Sequence, residues 1–402
     1  MHASRPIIRE VVRDLYVLRI DDHETKFFEG LWEIPEGISY NAYLLKTGEG
    51  AVLFDGWKKT YADLLVEEIE KIVDLRDIKY VVVHHMEPDH SGSIPAVMTR
   101  ATNAVLLGHP LAGKMISNFY GAYKFKPVSD GEELKIGEHS LRFIHAPWLH
   151  WPETIFTHIV NLNVLLTCDA FGSYSLPPVF DSEVEDWNQL DVAIRKYYVN
   201  VIGKYSQNVL KAVEKLKSLQ VSPSIIAPSH GAIFRDKSAH ILDKYIEIAR
   251  GVPKENKAVV AYVSMYGFIE QMIDATVSLL REKGFNVKIY RFTDNHRDNV
   301  SDLLGDLSDA GLMVIGGGTY EAGVQPLLGY ILHLIASKLG YRAGNLPVLV
   351  LTSYGWGPVA GKMVLEELKN KGFTRIENVE ATGQVRREYV EKIRQAIEKL
   401  TS

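Results

Sequence analysis

His85-Met86-Glu87-Pro88-Asp89-His90 directly follows the apolar run Tyr80-Val81-Val82-Val83. The run is too short for a stable helix and rich in a β-branched residue, so it reads as a buried strand. Pro88 and Gly92 predict a loop rather than a helix at its carboxyl end. Four potential metal ligands fall within these six residues, and a loop at a strand end can turn several side chains toward one point. Further candidates lie downstream. His150 sits in Pro147-Trp148-Leu149-His150-Trp151-Pro152, Asp169 follows the apolar run Val164–Thr167, and His230 sits in Ala227-Pro228-Ser229-His230-Gly231. Each of these three alone reads more readily as a hydrogen-bonded structural residue. Together with the first cluster they supply imidazoles and carboxylates from separated segments, a pattern suited to two metal ions.

Around this cluster the first half is mixed α/β. Tyr40–Lys46 and Ala51–Asp55 flank Thr47-Gly48-Glu49-Gly50, a hairpin pattern. Leu64, Leu65, Ile69, Ile72 and Val73 predict a helix over 61–73, and further strands are expected at 105–107, 141–144, 164–167 and 224–227. The polar run Arg250-Gly251-Val252-Pro253-Lys254-Glu255-Asn256-Lys257 reads as a linker, dividing the chain into domains 1–252 and 253–402.

Beyond the linker, strands and helices alternate. Ala258–Val263 is followed by a helix with Ile269, Met272, Ile273, Thr276, Val277 and Leu280 on one face. Strands near 286–291, 312–315, 348–351 and 375–379 alternate with helices near 298–304, 326–337, 358–369 and 387–400. Five βα units predict a doubly wound parallel sheet with helices on both faces. Ligands of such sheets bind at the carboxyl ends of the strands. Three segments fall there: Ser264-Met265-Tyr266-Gly267-Phe268-Ile269, Gly316-Gly317-Gly318-Thr319-Tyr320-Glu321 and Ser353-Tyr354-Gly355-Trp356-Gly357. Each reads as a loop. The first opens a helix whose N-terminus can hold a phosphate. Ser264 and Thr319 offer hydroxyls, and Tyr320, Tyr354 and Trp356 can flank a flat ring.

Composition narrows the classes. With 402 residues at roughly 150 per domain, two to three domains are expected. A net charge of −5 gives no general attraction to nucleic acid or anionic membrane. The single cysteine, Cys168, excludes an intrachain disulfide and a four-thiolate iron site such as rubredoxin's. No stretch approaches the ~18 apolar residues of a membrane helix. Arg5, Arg9, Glu10, Arg13 and Asp14 interrupt any signal-peptide core. A cytoplasmic protein is expected.

The motifs around His85–His90, His150, Asp169 and His230 resemble the metallo-β-lactamase superfamily, whose usual pattern is H-x-H-x-D-H with a later His, Asp and His. Glu87 stands where the second His is usual. That variant, joined to the second half, is similar to the flavodiiron (A-type flavoprotein) family over essentially the whole chain. The resemblance implies an αββα sandwich followed by a flavodoxin-like domain with a parallel five-stranded sheet. It implies one non-haem iron on His85, Glu87, His150 and Asp169. A second would sit on Asp89, His90, His230 and Asp169, with Asp169 bridging. His84 and His145 match no ligand position and are expected to be structural. Exchanging an imidazole for the carboxylate of Glu87 agrees with iron, since an anionic oxygen donor stabilises the ferric state.

FMN is implied in the second domain, although Tyr266 and Ile269 replace hydroxyl residues of the usual T-x-T-G-x-T loop. Each lost hydroxyl contact weakens binding by about 1 kcal/mol. The implied activity is reduction of dioxygen to water, nitric oxide to nitrous oxide, or both. Electrons would come from an external donor: rubredoxin, another reductase or reduced deazaflavin F420. The family's head-to-tail homodimer, in which the flavin of one chain faces the irons of the other, is expected, alone or as a dimer of dimers. Two rivals stand beside this reading: a dinuclear zinc metallohydrolase, and a non-enzymatic flavin electron carrier or redox sensor. Glu87 and the second domain argue against the first, and the complete ligand set against the second.

Overall fold

The computed structural model describes residues 5–402, which divide into two compact units. One comprises the chain to Tyr198 with Gln207–Ile246, the other Val199–Ser206 with the chain from Glu247 onward.

The first unit is built on two sheets. Seven strands lie in the order Ile7–Val12, Leu15–Asp22, Ile38–Thr47, Gly50–Phe54, Ile78–Val83, Val105–Gly108 and Phe125–Pro127. Five more lie in the order Glu133–Ile136, His139–His145, Ile155–Ile159, Val164–Cys168 and Ile225–Pro228. Side chains alternate across a strand, so Leu15 and Val17, Tyr43 and Leu45, and Val52 and Phe54 share one face. There they meet Leu141, Phe143, Ile155 and Leu166 of the second sheet in a single core. The expected hairpin is present, with Thr47 opposite Gly50. Gly50 has φ +130°, and a Cβ there would lie 2.5 Å from the Asp77 carbonyl oxygen. Only glycine fits, and its close approach lets Gly50–Phe54 pair with Ile78–Val83. The strands that lead to His85, Asp169 and His230 each have a parallel neighbour, while the strand before His150, His139–His145, pairs antiparallel on both sides.

The second unit has five parallel strands in the order Asn286–Phe292, Lys254–Val263, Ala310–Tyr320, Val348–Tyr354 and Ile376–Thr382. Helices Phe268–Glu282 and Arg387–Thr401 cover one face. Ile269, Met272, Ile273, Ile393 and Ile397 pack there on Ala258, Val260, Val314 and Leu351. Residues one step along the strands, such as Val259, Ala261, Met313 and Val350, are equally buried. Both faces are therefore covered, which is why the strand sequences read as continuous apolar runs. Strand order reverses at Lys254–Val263, and the crevice at its carboxyl end is the topological switch point. The structure departs from the expected loops at two segments. Gly316–Tyr320 and Ser353–Tyr354 continue their strands. A Cβ on Gly317 would lie 2.5 Å from Leu328, so this glycine lets a helix pack closely rather than mark a chain reversal. The two-residue strand Gly323–Val324 then pairs back on Thr319–Tyr320, a short antiparallel addition that no sequence pattern announces.

Arg342 is fully buried and ties this unit together. Its guanidinium donates to the carbonyls of Leu307 (3.2 Å), Ser308 (2.6 Å) and Ala310 (2.8 Å) at the end of helix Val300–Leu307, and to Asn345 (2.9 Å). Arg342→Met leaves those carbonyls unsatisfied and should cost about 3 kcal/mol. A fall of roughly 10 °C in this unit's unfolding temperature, read by calorimetry, is expected. Among the described residues no helix is long and apolar enough to cross a membrane.

Candidate metal centre and flavin-loop region

Strand Ile78–Val83 ends at His84-His85, and the chain then turns. The expected loop contains one helical turn, Pro88–Ser91. Proline at the first helical position loses no hydrogen bond and has its φ already set, and Gly92 N–H closes the turn on the Pro88 carbonyl at 2.9 Å. The turn buries Asp89 and His90. His150, Asp169 and His230 each arrive from a loop beyond a strand of the second sheet, so all seven candidates meet at the carboxyl edges of the sandwich.

Asp169 lies at the centre. Its Oδ2 is 3.4 Å from His85 Nε2 and 3.6 Å from His150 Nε2. Its Oδ1 is 3.1 Å from His90 Nε2 and 3.2 Å from His230 Nε2. Glu87 Oε2 is 2.8 Å from His150 Nε2 and 3.3 Å from His85 Nε2. The Asp89 carboxylate is 3.5 Å from both His90 and His230. Two donor groups result, His85/Glu87/His150/Asp169 and Asp89/His90/His230, each compact enough for one ion.

The donor set fits two cations. Both Asp89 carboxylate oxygens, Asp169 Oδ2 and His230 Nε2 are buried without a hydrogen-bond partner. Burying such groups unpaired is costly, and metal coordination removes the penalty. Burial alone would raise the Asp169 carboxyl, but the surrounding His90, His230 and His85 hold it well below the usual carboxylate range. Glu87 is likewise held low against burial by His150 and His85. Burial opposes protonation of the imidazoles. The carboxylates override it, raising His85 well above its ordinary value through Glu153, Glu87 and Asp169, and His90 to about 10 through Asp89 and Asp169.

Other residues aim these ligands. His85 Nδ1–H donates to Glu153 Oε1 at 2.9 Å. His230 Nδ1–H donates to the Ser39 carbonyl at 2.7 Å. Each bond leaves Nε2 facing the site. The Tyr197 hydroxyl donates to Asp169 Oδ1 at 2.9 Å, and the Trp151 ring stands edge-on to His85 with centroids 4.9 Å apart. Sequence patterns assign no role to Glu153, Ser39 or Tyr197. Only Glu153 leaves a signal, as a carboxylate three residues after His150. His84 pairs with Asp55 (2.7 Å) and Thr157 (2.8 Å), and His145 with the Val128 carbonyl (3.0 Å), both outside the donor groups. A pocket of about 360 Å³, bounded by Thr25, Phe27, Phe28, Tyr40 and Lys58, reaches Glu87 and Asp89.

In the second unit Ser264, Met265, Tyr266, Phe268, Ile269, Gly318 and Ser353 line a small recess at the switch point. Gly267, at φ +81°, precedes the helix beginning at Phe268, and its N–H donates to Ser264 Oγ at 3.2 Å. The first N–H groups of a helix have no partner within it and can receive an anion here. The Ile269 side chain is buried in the core, so that residue offers only its backbone. Thr319 Oγ1 accepts from the N–H groups of Val359 (3.3 Å) and Ala360 (3.2 Å), which leaves its proton to donate. Glu321 and Ala322, both at positive φ, form the turn after Tyr320. Tyr266 is 83%, Trp356 73% and Tyr320 40% exposed, exposure that suits stacking on a planar ligand.

Comparison with known proteins covers both units. Residues 38–231 match the family model described as ODP family beta lactamase. The rubredoxin-oxygen oxidoreductase of Megalodesulfovibrio gigas is 31% identical over 368 residues, 90% of each chain. The nitric oxide reductase of Moorella thermoacetica is 30% identical over 370 residues, 91% of this chain and 90% of that one. A solved structure of a mutant flavo di-iron protein from Thermotoga maritima superposes with a TM-score of 0.91 at 36% identity, over 99% of both chains. Likeness that runs the length of the chain, in sequence and in fold, answers for both units at once: the protein belongs to the flavodiiron family and is an oxidoreductase.

Proposed function

We propose that this oxidoreductase reduces dioxygen to water, nitric oxide to nitrous oxide, or both, at two non-haem irons. The observation that carries the reading is Asp169, whose two oxygens each face a different pair of imidazoles. His85, Glu87, His150 and Asp169 hold one iron, and Asp89, His90, His230 and Asp169 the other. FMN is held by Ser264–Ile269, Gly318–Glu321 and Ser353–Gly357. The irons supply one-electron chemistry at two adjacent centres and the flavin a two-electron store. The residues do the rest. Glu153, Ser39 and Tyr197 fix ligand orientation, Trp151 shields His85, and the pocket beside Phe28 and Tyr40 admits a small molecule to Glu87 and Asp89. The exposed aromatic groups at Tyr266 and Trp356 favour a head-to-tail homodimer that covers them, alone or as a dimer of dimers. Electrons enter from an external donor such as rubredoxin, another reductase or reduced deazaflavin F420. The domain boundary is placed at 252/253, in the polar run after helix Ser238–Ala249.

Metal and flavin analysis of protein produced with iron tests the reading. About two irons and one FMN per chain are expected, with turnover on dioxygen or nitric oxide. Two zincs that iron does not replace, without flavin, would overturn it in favour of a hydrolase. FMN without iron would leave an electron carrier.

A pH dependence follows. In the metal-free chain His85 and His90 have raised pKa values and carry protons near neutrality, which an incoming cation must displace. Affinity for ferrous iron should therefore rise with pH between about 6 and 8, by about tenfold per unit for each proton released. Calorimetry in two buffers of different ionisation heat counts those protons, and a flat profile with no release contradicts the assignment.

A further inference from the structure

The two donor groups are supported differently. Behind His85 stands Glu153, 1% exposed. Its Oε1 accepts from His85 Nδ1–H and from the Met86 amide, each at 2.9 Å, while its Oε2 is buried without a partner. Two N–H donors converge on Oε1, an arrangement that stabilises the carboxylate form of Glu153. Behind His230 stands only the neutral carbonyl of Ser39, and His90 Nδ1 has no partner. The buried carboxylate of Asp55 acts on His90 only through space: it makes no hydrogen bond to that ring, and its oxygens accept from the His84 amide and ring. Glu87 in one group is matched by Asp89 in the other, and Asp169 is shared. The difference is therefore one of direct contact: a carboxylate is hydrogen-bonded behind a ligand imidazole at His85, and none is behind His90 or His230 among the described residues.

A carboxylate behind a ligating imidazole raises the ligand's basicity. In a buried site its charge is weakly screened and favours the more highly charged metal. From these contacts we infer that Glu153 is a positioning residue that makes the two metal positions electronically unequal, so that the iron on His85 is the first to pass from ferrous to ferric. The electron released there passes to the dioxygen or nitric oxide of the proposed function. This rests on the proposed function, in which the site holds an iron pair.

The test is Glu153→Gln in the iron- and FMN-loaded protein. Glutamine keeps an acceptor for both donors and removes the charge. An anaerobic redox titration with mediator dyes, followed by electron paramagnetic resonance of the half-oxidised pair, reads the two oxidation steps. The first step should move to more positive potential and the second less, narrowing their separation at unchanged iron content. Glu153→Asp, which keeps the charge, should stay closer to wild type. Unmoved steps, or equal shifts of both, overturn the inference. A wild-type protein that takes up no iron pair overturns the reading beneath it instead. Should Glu153→Gln fail to fold, ¹⁵N resonance of histidines in zinc-loaded wild type decides. The His85 Nδ1 proton should lie downfield of that of His230, and equal positions overturn the inference.

Discussion

Asp169→Asn is expected to abolish turnover on both dioxygen and nitric oxide, a loss of at least about 100-fold, and to cost the chain iron at both positions. The amide keeps the shape of the carboxylate but not its charge, and charge is what this position contributes. Four imidazole nitrogens lie within 3.1–3.6 Å of its two oxygens, so each donor group loses its shared anion. The metal-free variant should still fold. Asp169 sits at the end of its strand rather than inside the apolar core, and the Tyr197 hydroxyl can donate to an amide oxygen as it does to the carboxylate. His90 should also titrate below its value of about 10, since Asp169 is one of the carboxylates that raises it. Iron analysis and circular dichroism separate the outcomes. A folded variant that keeps both irons and near-normal turnover would show that Asp169 does not join the two positions.

Glu87→His should change which metal the site keeps. Glu87 Oε2 lies between His85 Nε2 and His150 Nε2, so the substitution makes that group three imidazoles and one carboxylate. Intrinsic affinity of such sites for zinc exceeds that for ferrous iron, and an anionic oxygen donor is what favours ferric iron. Protein loaded from a medium containing both metals should show a zinc-to-iron ratio raised by about tenfold, the scale on which ligand surroundings alter affinity. Reductase turnover should fall in step. Plasma emission analysis gives the ratio. If the variant selects iron as wild type does, the carboxylate is not what distinguishes this site from that of a zinc hydrolase.

Glu87 stands out in the amino-acid sequence by its local cluster, whereas Asp169 does so only in company with the other segments and through the family resemblance. A short β-branched run followed by a cluster of donors tells where a strand ends, and strand ends are where loops present chemistry. Tyr80–Val83 before His85 therefore discloses its cluster by neighbourhood, Val164–Thr167 before Asp169 and the run before His230 only mark weaker candidates that count in combination, and the alternation after Lys254 discloses a doubly wound sheet. Local signals misled where one residue type serves two purposes. Pro88 breaks a helix interior but opens a helical turn. Gly316–Gly318 could mark a loop, yet lies within a strand, where Gly317 lets helix Pro326–Lys338 pack closely.

The sequence by itself thus determined a mixed α/β first half, a doubly wound second half and a list of candidate donors, and its family resemblance selected the seven side chains that converge. Only the tertiary structure decided how they are aimed and how unequal their surroundings are. Glu153 reaches His85 across 68 positions and Ser39 reaches His230 across 191, while Tyr197 meets Asp169 from a separate helix. Such partnerships depend on strand register and on the packing of one sheet against another. No local pattern encodes these, because each hydrogen bond is made by residues whose own neighbourhoods say nothing of the other.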